Sequence, residues 1–587
     1  MKNSRMASVL IKTLILMALL ICLILLVYYE AGMLAREGTT LAAMTESAVY
    51  VSPTPGPTPT PSPEPTPEAT PEPEVTPLPA FEPKAGPNAQ PSSVIYGTNI
   101  MVNGSLVNSY QAAPDRVMDF SVPEEYTEAK GIITFRGNNF RNTAHYGETV
   151  INTRTFGSYW TRNTGGLSDN SGSYWGGSGW TGQPLVVEWP AETRRIMNMY
   201  DWAKEKNGLV EVIYATLDGY VYFLDLETGQ DTRDPLFLGY SFKGAGALDP
   251  RGYPIMYVGG GLTNGSGSLP RIMVVSLIDG EVMYTTGNGD GFAPRGWTAY
   301  DSSALVDAET DQLIYPGENG VLYIIKLNTN YDPAAGTISV KPEETKFSYR
   351  SSAADRFYYG MEDSTVAWRG HLLVADNGAS FLCIDLNTLE IEWRFDCLDD
   401  TNCTPIMELD ETGHPYVYLS TSFHLGWRSS YTATIPVWKI DAVTGEEVWH
   451  HDYTCYSESG LSGGVQGSFA LGKGELDGIL YVSMAREPSG SNGQILALDT
   501  DTGEEIWTYT SDSYSWSTPT CIYDQNGKGY VLYSSSINGS TYLMDGLTGE
   551  IYDSFYFGST VEASPVVYNN TMVIGIRGNL IYGITLE

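Results

Sequence analysis

A polar turn of Asp or Asn with Gly opens onto a short apolar run, a second polar turn follows, often Asp-x-x-Thr-Gly, and an aromatic-bearing run comes next. The pattern recurs. Asp218-Gly219 leads to Phe223-Leu224-Asp225 and Thr228-Gly229, and Asn319-Gly320 leads to Ile325-Lys326. Asn377-Gly378 leads to Ile384-Asp385 and Trp393, and Asn492-Gly493 to Leu498-Asp499, Thr502-Gly503 and Trp507. Asn538-Gly539 leads to Met544-Asp545 and Thr548-Gly549, and Arg577-Gly578 to Ile584. Leu277 to Glu281, and Lys439-Ile440-Asp441 with Thr444-Gly445 and Trp449, are copies without the first turn. Equivalent positions 225, 279, 326, 385, 441, 499, 545 and 584 are spaced by 54, 47, 59, 56, 58, 46 and 39 residues. Repeats of this period, each unable to bury its own apolar face, stack into an array. The spacing predicts an all-β, eight-bladed β-propeller.

The physics of one unit supports this. Asn-Gly and Asp-Gly supply the positive φ angles of a two-residue hairpin, joining Val212–Thr216 to Tyr220–Leu224. In Asp-x-x-Thr-Gly the short polar side chains bond the turn backbone while Gly takes the left-handed conformation. Asp225, Asp385, Asp441, Asp499 and Asp545 are therefore read as turn formers, not as catalytic or metal-binding groups. Trp393, Trp449 and Trp507 are placed to cover the seams between blades. The eighth unit stops at Glu587, short of an outer strand. Thr155–Arg162 has strand character and precedes the first blade, so it is expected to close the ring and remove two exposed edges.

Composition agrees with strands and turns: Tyr 40, Gly 62 and Trp 13 in 587 residues. A formal charge of −36 repels phosphate backbones, which argues against nucleic acid. Lys2, Arg5 and Lys12 flank an apolar stretch, Thr13 to Tyr29, which with Val9 to Ile11 approaches the ~20 residues that span a bilayer. The basic flank is expected to stay cytoplasmic, giving an uncleaved single-pass anchor with the rest of the chain outside. From Ser52 to Ser93 Pro, Thr and Glu dominate, and such a tract favours polyproline II. At roughly 3.1 Å per residue it is a spacer on the order of 100 Å, in keeping with a Gram-positive wall. The expected organisation is a cytoplasmic tail over 1–8, a transmembrane helix over 9–29, a disordered linker over 30–93, a lead-in over 94–130 and the propeller over 131–587. Besides Cys22 in the apolar run there are five cysteines. Cys397 and Cys403 lie close enough in one connection to bridge, a point that separation in sequence does not decide.

The repeats resemble those of pyrroloquinoline-quinone-type propellers, whose unit ends in Asp-x-x-Thr-Gly-x-x-x-Trp; Asp441 to Trp449 and Asp499 to Trp507 match it. Thr134-Phe135-Arg136-Gly137-Asn138-Asn139-Phe140-Arg141 also resembles the lead-in of such domains. The resemblance covers roughly Gly131 to Glu587. It implies kinship with quinoprotein dehydrogenases and with non-enzymatic relatives, including the assembly lipoprotein of the BAM complex. The dehydrogenases carry adjacent cysteines at the quinone; this chain has no Cys-Cys pair and no Cys-x-x-Cys-His for a c-type haem. Neither the quinone nor calcium is therefore expected, and binding is favoured over catalysis, with a quinone-dependent or other oxidoreductase as the alternative.

Other constellations weaken on inspection. Gly460-Leu461-Ser462-Gly463-Gly464 matches a nucleophile elbow, but a strand rather than a helix is expected after it. No His is followed by Glu, and His450-His451 on a strand points to opposite faces, so no metal is expected. One ring survives. Alignment on Ser564-Pro565, Thr518-Pro519 and Thr404-Pro405 places Glu562, Trp516 and Asn402 near the axis; extension to less regular blades adds Tyr300, Asp301, Glu362, Asp363, Gln466, Trp180 and Trp297. Carboxylates, amides and indoles converging on a funnel suit a cationic group, a metal ion or a glycan. The expected protein is a monomeric, membrane-anchored binding or scaffolding module for a cell-envelope protein, peptide or glycan.

Overall fold

The computed structural model describes residues 78–169, 171–262, 268–353, 359–424, 430–457 and 463–587. The expected cytoplasmic tail, the expected transmembrane helix, most of the expected linker, Cys22 and Ser462 lie outside the described residues. Among the described residues no helix is long and apolar enough to cross a membrane.

Eight antiparallel sheets form the blades. Blade one holds Leu185–Glu188, Val210–Ala215, Tyr220–Asp225 and Leu236–Phe237; two short helices, Ala191–Ile196 and Asp201–Glu205, lie between its first two strands. The third strands of the eight blades end at Asp225, Ser276, Lys326, Asp385, Asp441, Asp499, Asp545 and Leu586, so each predicted turn falls where its blade requires it. Asp441 shows the turn chemistry: its Oδ1 accepts from the backbone N–H of Val443 and Thr444 at 2.8 and 2.9 Å. Asp385, Asp499 and Asp545 do the same two and three residues on.

The tryptophans join blades through the same turns. Trp393 Nε1 donates to Ala442 O, Trp449 Nε1 to Thr500 O and Trp507 Nε1 to Gly546 O, each into the next blade. The indole then lies on the glycine of that turn. A Cβ on Gly445, at φ +70°, would come within 2.7 Å of the Trp393 ring, so only Gly fits there.

The ring closes as the missing strand predicts. Phe156–Asn163 pairs antiparallel with Leu580–Leu586, with Ile584 opposite Tyr159 and Leu586 opposite Phe156. Trp160 on this strand donates to Leu226 O at 2.8 Å and covers Gly229 of blade one. The closing strand thus brings the inter-blade lock with it.

A second N-terminal segment crosses the propeller axis. Lys130–Ile132 pairs with Leu185–Glu188 of blade one, and His145–Tyr146 pairs with Val566–Tyr568 of blade eight. Between them, carbonyls of Ile133 and Phe140 accept from Leu248 and Met407, in blades two and five. Fully buried Arg141 donates to Thr365 O, Ser303 O and Phe135 O at 2.8, 2.8 and 2.9 Å, and Arg136 to Pro519 O at 3.0 Å. Burial pushes both guanidinium pKa values down to about 10. Carbonyl acceptors, not counter-ions, hold these charges.

The end of the expected linker is docked. Phe81 is buried against Trp368, Lys84 and Gly86 donate to Val443 O and Thr444 O of blade five, and Arg394 of blade four donates to Ala89 O. The strand Ile95–Val102 then adds to the outer strand Glu343–Ser351 of blade three. All five described cysteines are buried free thiols, so Cys397 and Cys403 form no bridge.

Candidate functional site at the propeller axis

The chain enters each blade's first strand near the axis, and the side chains of these entry segments converge there. Trp180, Asp301, Glu362, Asp363, Asn402 and Gln466 line one small cavity, which Phe135 of the axis-crossing segment also lines. Glu562 adjoins it, accepting from the Trp180 backbone N–H at 3.1 Å, and the Trp516 ring lies 5.7 Å from that of Trp180. Trp297, half exposed, donates from Nε1 to Glu318 at 2.7 Å. Tyr300 is a correction. It is buried in the core beside Tyr315 and Tyr323, and its hydroxyl donates to Gly287 O. Neighbouring extended residues face opposite ways, so Asp301 on the axis sends Tyr300 into the core.

The sequence ring lacked its charged partners. Lys243 enters blade two, pairs with Asp301, and stands 4.7 Å above the Trp180 ring. Blade two has no Ser/Thr-Pro pair, the feature on which the entry segments of blades five, seven and eight align. Glu318 and Asn377 come from the turns that join the second and third strands of blades three and four, whose residues read simply as turn formers. Asn377 Nδ2 donates to Asp400 at 2.6 Å and to Glu362 at 3.3 Å, and Arg295 donates to Asn377 Oδ1 at 3.0 Å. These turns reach the rim and hold its carboxylates.

Negative charge is in excess. Oxygen atoms of Asp301, Glu318 and Glu362 lie within 4.8 Å of one another. Burial, then Glu362 and Asp301, push the Glu318 pKa well above the usual carboxylate range. Burial does the same to Asp363, and burial with Glu362 to Asp400. Burial works against the Lys243 ammonium, yet Asp301, Glu318 and Glu362 outweigh it and raise its pKa. Glu318 Oε1 and Asp363 Oδ1 are buried without a hydrogen-bond partner. The three carboxylates have the donors for a divalent cation, and Lys243 already supplies them a positive charge.

Asp376, beside this rim, gives a pH signature. It is fully buried, which raises its pKa to about 6, although Tyr349 and the N–H groups of Gly378 and Ser380 donate to it. A folded pKa above the unfolded value means that its contribution is present below about pH 4 and lost as pH rises through about 6. Asp376→Asn is expected to flatten the fall in stability between those values, measured as urea midpoint against pH; an unchanged slope would exclude this assignment.

The cavity volume is ≈ 20 Å³, room for one water-sized species, whereas organic ligands occupy pockets of roughly 300–1,000 Å³. With Phe135 against it and no paired cysteines, the axis does not fit a quinone.

A family model described as outer membrane protein assembly factor BamB matches residues 343–513 and again 436–551. No curated protein matches the sequence. Among solved structures, the quinohemoprotein alcohol dehydrogenase of Comamonas testosteroni is 13% identical with a TM-score of 0.51, over 78% of this chain and 80% of that one. A quinohemoprotein alcohol dehydrogenase of Pseudomonas putida HK5 gives 11% and 0.51 over the same shares. BamB from Moraxella catarrhalis gives 14% and 0.41 over 64% of this chain and 92% of that one. At such identities the likeness is one of fold. By its repeats and by its eight blades, the chain resembles the pyrroloquinoline-quinone-type propellers.

Proposed function

We propose that this chain is a membrane-anchored, extracytoplasmic binding or scaffolding module, whose axial rim receives a cationic group of a cell-envelope peptide, protein or glycan. The observation that carries the reading is the charge balance at the axis. Asp301, Glu318, Glu362, Asp363 and Asp400 converge there with Lys243 and Arg295 as their cations, and the indoles of Trp180 and Trp297 stand beside them. Glu318, Asp363 and Asp400, whose neutral forms burial favours, would ionise beside an arriving cation, and the indoles offer faces for stacking. The apolar stretch and Pro/Thr/Glu tract of the N-terminal region support display on a stalk. Oxidoreductase chemistry is the poorer reading, because the axis does not fit the quinone.

Thermal-shift titrations of the full-length chain in detergent micelles separate the two. Lysine-rich peptides and amino-sugar oligomers are expected to raise Tm, and Glu362→Gln to weaken that response at least tenfold. A shift with pyrroloquinoline quinone plus Ca²⁺, and none with the cationic ligands, would overturn the proposal.

A further inference from the structure

Blade four departs from its sister blades at one spot. In blades five, six and seven the turn aspartates Asp441 and Asp545 face Tyr416 and Tyr530 across the second and third strands, and Asp499 faces Ile479. In blade four Asp385 faces His371. Each of these blades also carries a bulge between its third and fourth strands, which leaves one residue unpaired: Val448, Ile506 and Tyr552 in blades five to seven, Glu392 in blade four. Bulges re-aim the extra side chain. Here the bulge brings Glu392 to the pair, so that ligand atoms of His371, Asp385 and Glu392 lie within 4.8 Å of one another, all half-buried.

We propose that His371, Asp385 and Glu392 bind one Zn²⁺ ion, which fastens the docked residues 78–93 to the propeller. The imidazole is oriented for this: Nδ1 donates to Arg369 O at 2.9 Å, which leaves the Nε2 lone pair for a metal. Asp385 commits Oδ1 to the turn and keeps Oδ2. Glu392 has no hydrogen-bond or ion-pair partner among the described residues, so its side chain is free to swing onto an ion. One nitrogen and two carboxylates, with water completing the shell, suit Zn²⁺; an all-oxygen set would be expected for Ca²⁺. No sequence motif announced the site, because its ligands come from three strands of one blade.

The location gives the ion a structural task. The Phe81 ring meets His371 edge-on at 5.2 Å. Asn387, in the Asp385 turn, exchanges two hydrogen bonds with the Met118 backbone, at 2.9 and 3.1 Å. An ion between His371 and Asp385 therefore stiffens the two supports on which the N-terminal segments rest.

Zn²⁺ titration of the EDTA-stripped full-length chain in detergent micelles is expected to show one tight site, and Co²⁺ substitution visible d–d bands. Both are lost in His371→Ala and Glu392→Gln and kept in the axial variant Glu362→Gln. Zn²⁺ is also expected to slow proteolysis within residues 78–93 in the parent but not in His371→Ala, each compared with its own metal-free form. The proposal is overturned by absence of stoichiometric binding, by binding that follows Glu362 rather than His371, or by proteolysis indifferent to Zn²⁺.

Discussion

Trp160→Ala frees the closing strand and costs about 3 kcal/mol of stability, the low end for truncating a packed tryptophan because this one is half-buried. Two losses combine. The hydrogen bond to Leu226 O disappears, and the ring that covers Gly229 is removed. Trp449 makes the same two contacts inside the array, with Thr500 O and Gly503. The comparison therefore isolates closure. Trp449→Ala is expected to lower the urea midpoint without exposing a chain segment, whereas Trp160→Ala also opens residues 156–163 to protease. Identical proteolysis of the two variants would show that the ladder to Leu580–Leu586 holds the strand by itself.

The second large effect lies between blades one and two. Glu211 is fully buried and accepts from Arg233 at 2.7 and 2.9 Å and from Trp189 Nε1 at 2.9 Å. Arg233 in turn donates to Leu277 O of blade two at 2.7 Å and lies 4.5 Å from the Phe223 ring centroid. Glu211→Ala leaves a guanidinium in the core without its counter-charge, and a loss of about 3–5 kcal/mol follows. The double variant Glu211→Leu with Arg233→Met removes both charges and should recover most of that loss. If the single variant unfolds within about 1 kcal/mol of the parent, solvent reaches Arg233 and the pair is not a structural tie.

The blades were legible because turn chemistry is local. Asp441, Val443, Thr444 and Gly445 carry their own geometry, and the sequence repeats it. The closing strand was legible from a shortage, since the unit at Ile584 lacked an outer strand and Thr155–Arg162 was spare. The axis was read in part. Asp301, Glu362 and Asn402 sit where the blade entries put them, but Lys243 joins them by pairing with Asp301, 58 residues on in sequence. Thr134 to Arg141 read as a lead-in, but its path across the axis was not legible, because Arg141 is held by the carbonyls of Thr365 and Ser303, and every residue has a carbonyl. Residues 78–93 read as spacer for a related reason: Pro-rich composition has little to bury, yet backbone bonds to Val443 and Thr444 and the single ring of Phe81 dock it.

Ser158 and its partner Thr585 are 427 residues apart. During synthesis the strand around Ser158 emerges first and waits, edge exposed, until nearly the whole array has followed it. Late pairing of this kind makes folding slow, because the closure entropy falls due before the contacts that offset it. Until then the nascent ring has two open sheet edges able to pair with any matching strand. A neighbouring chain offers one of identical sequence, so crowding during assembly favours exchange of the closing strand between copies. The joint that makes the finished ring continuous is also the last moment at which two chains can become entangled.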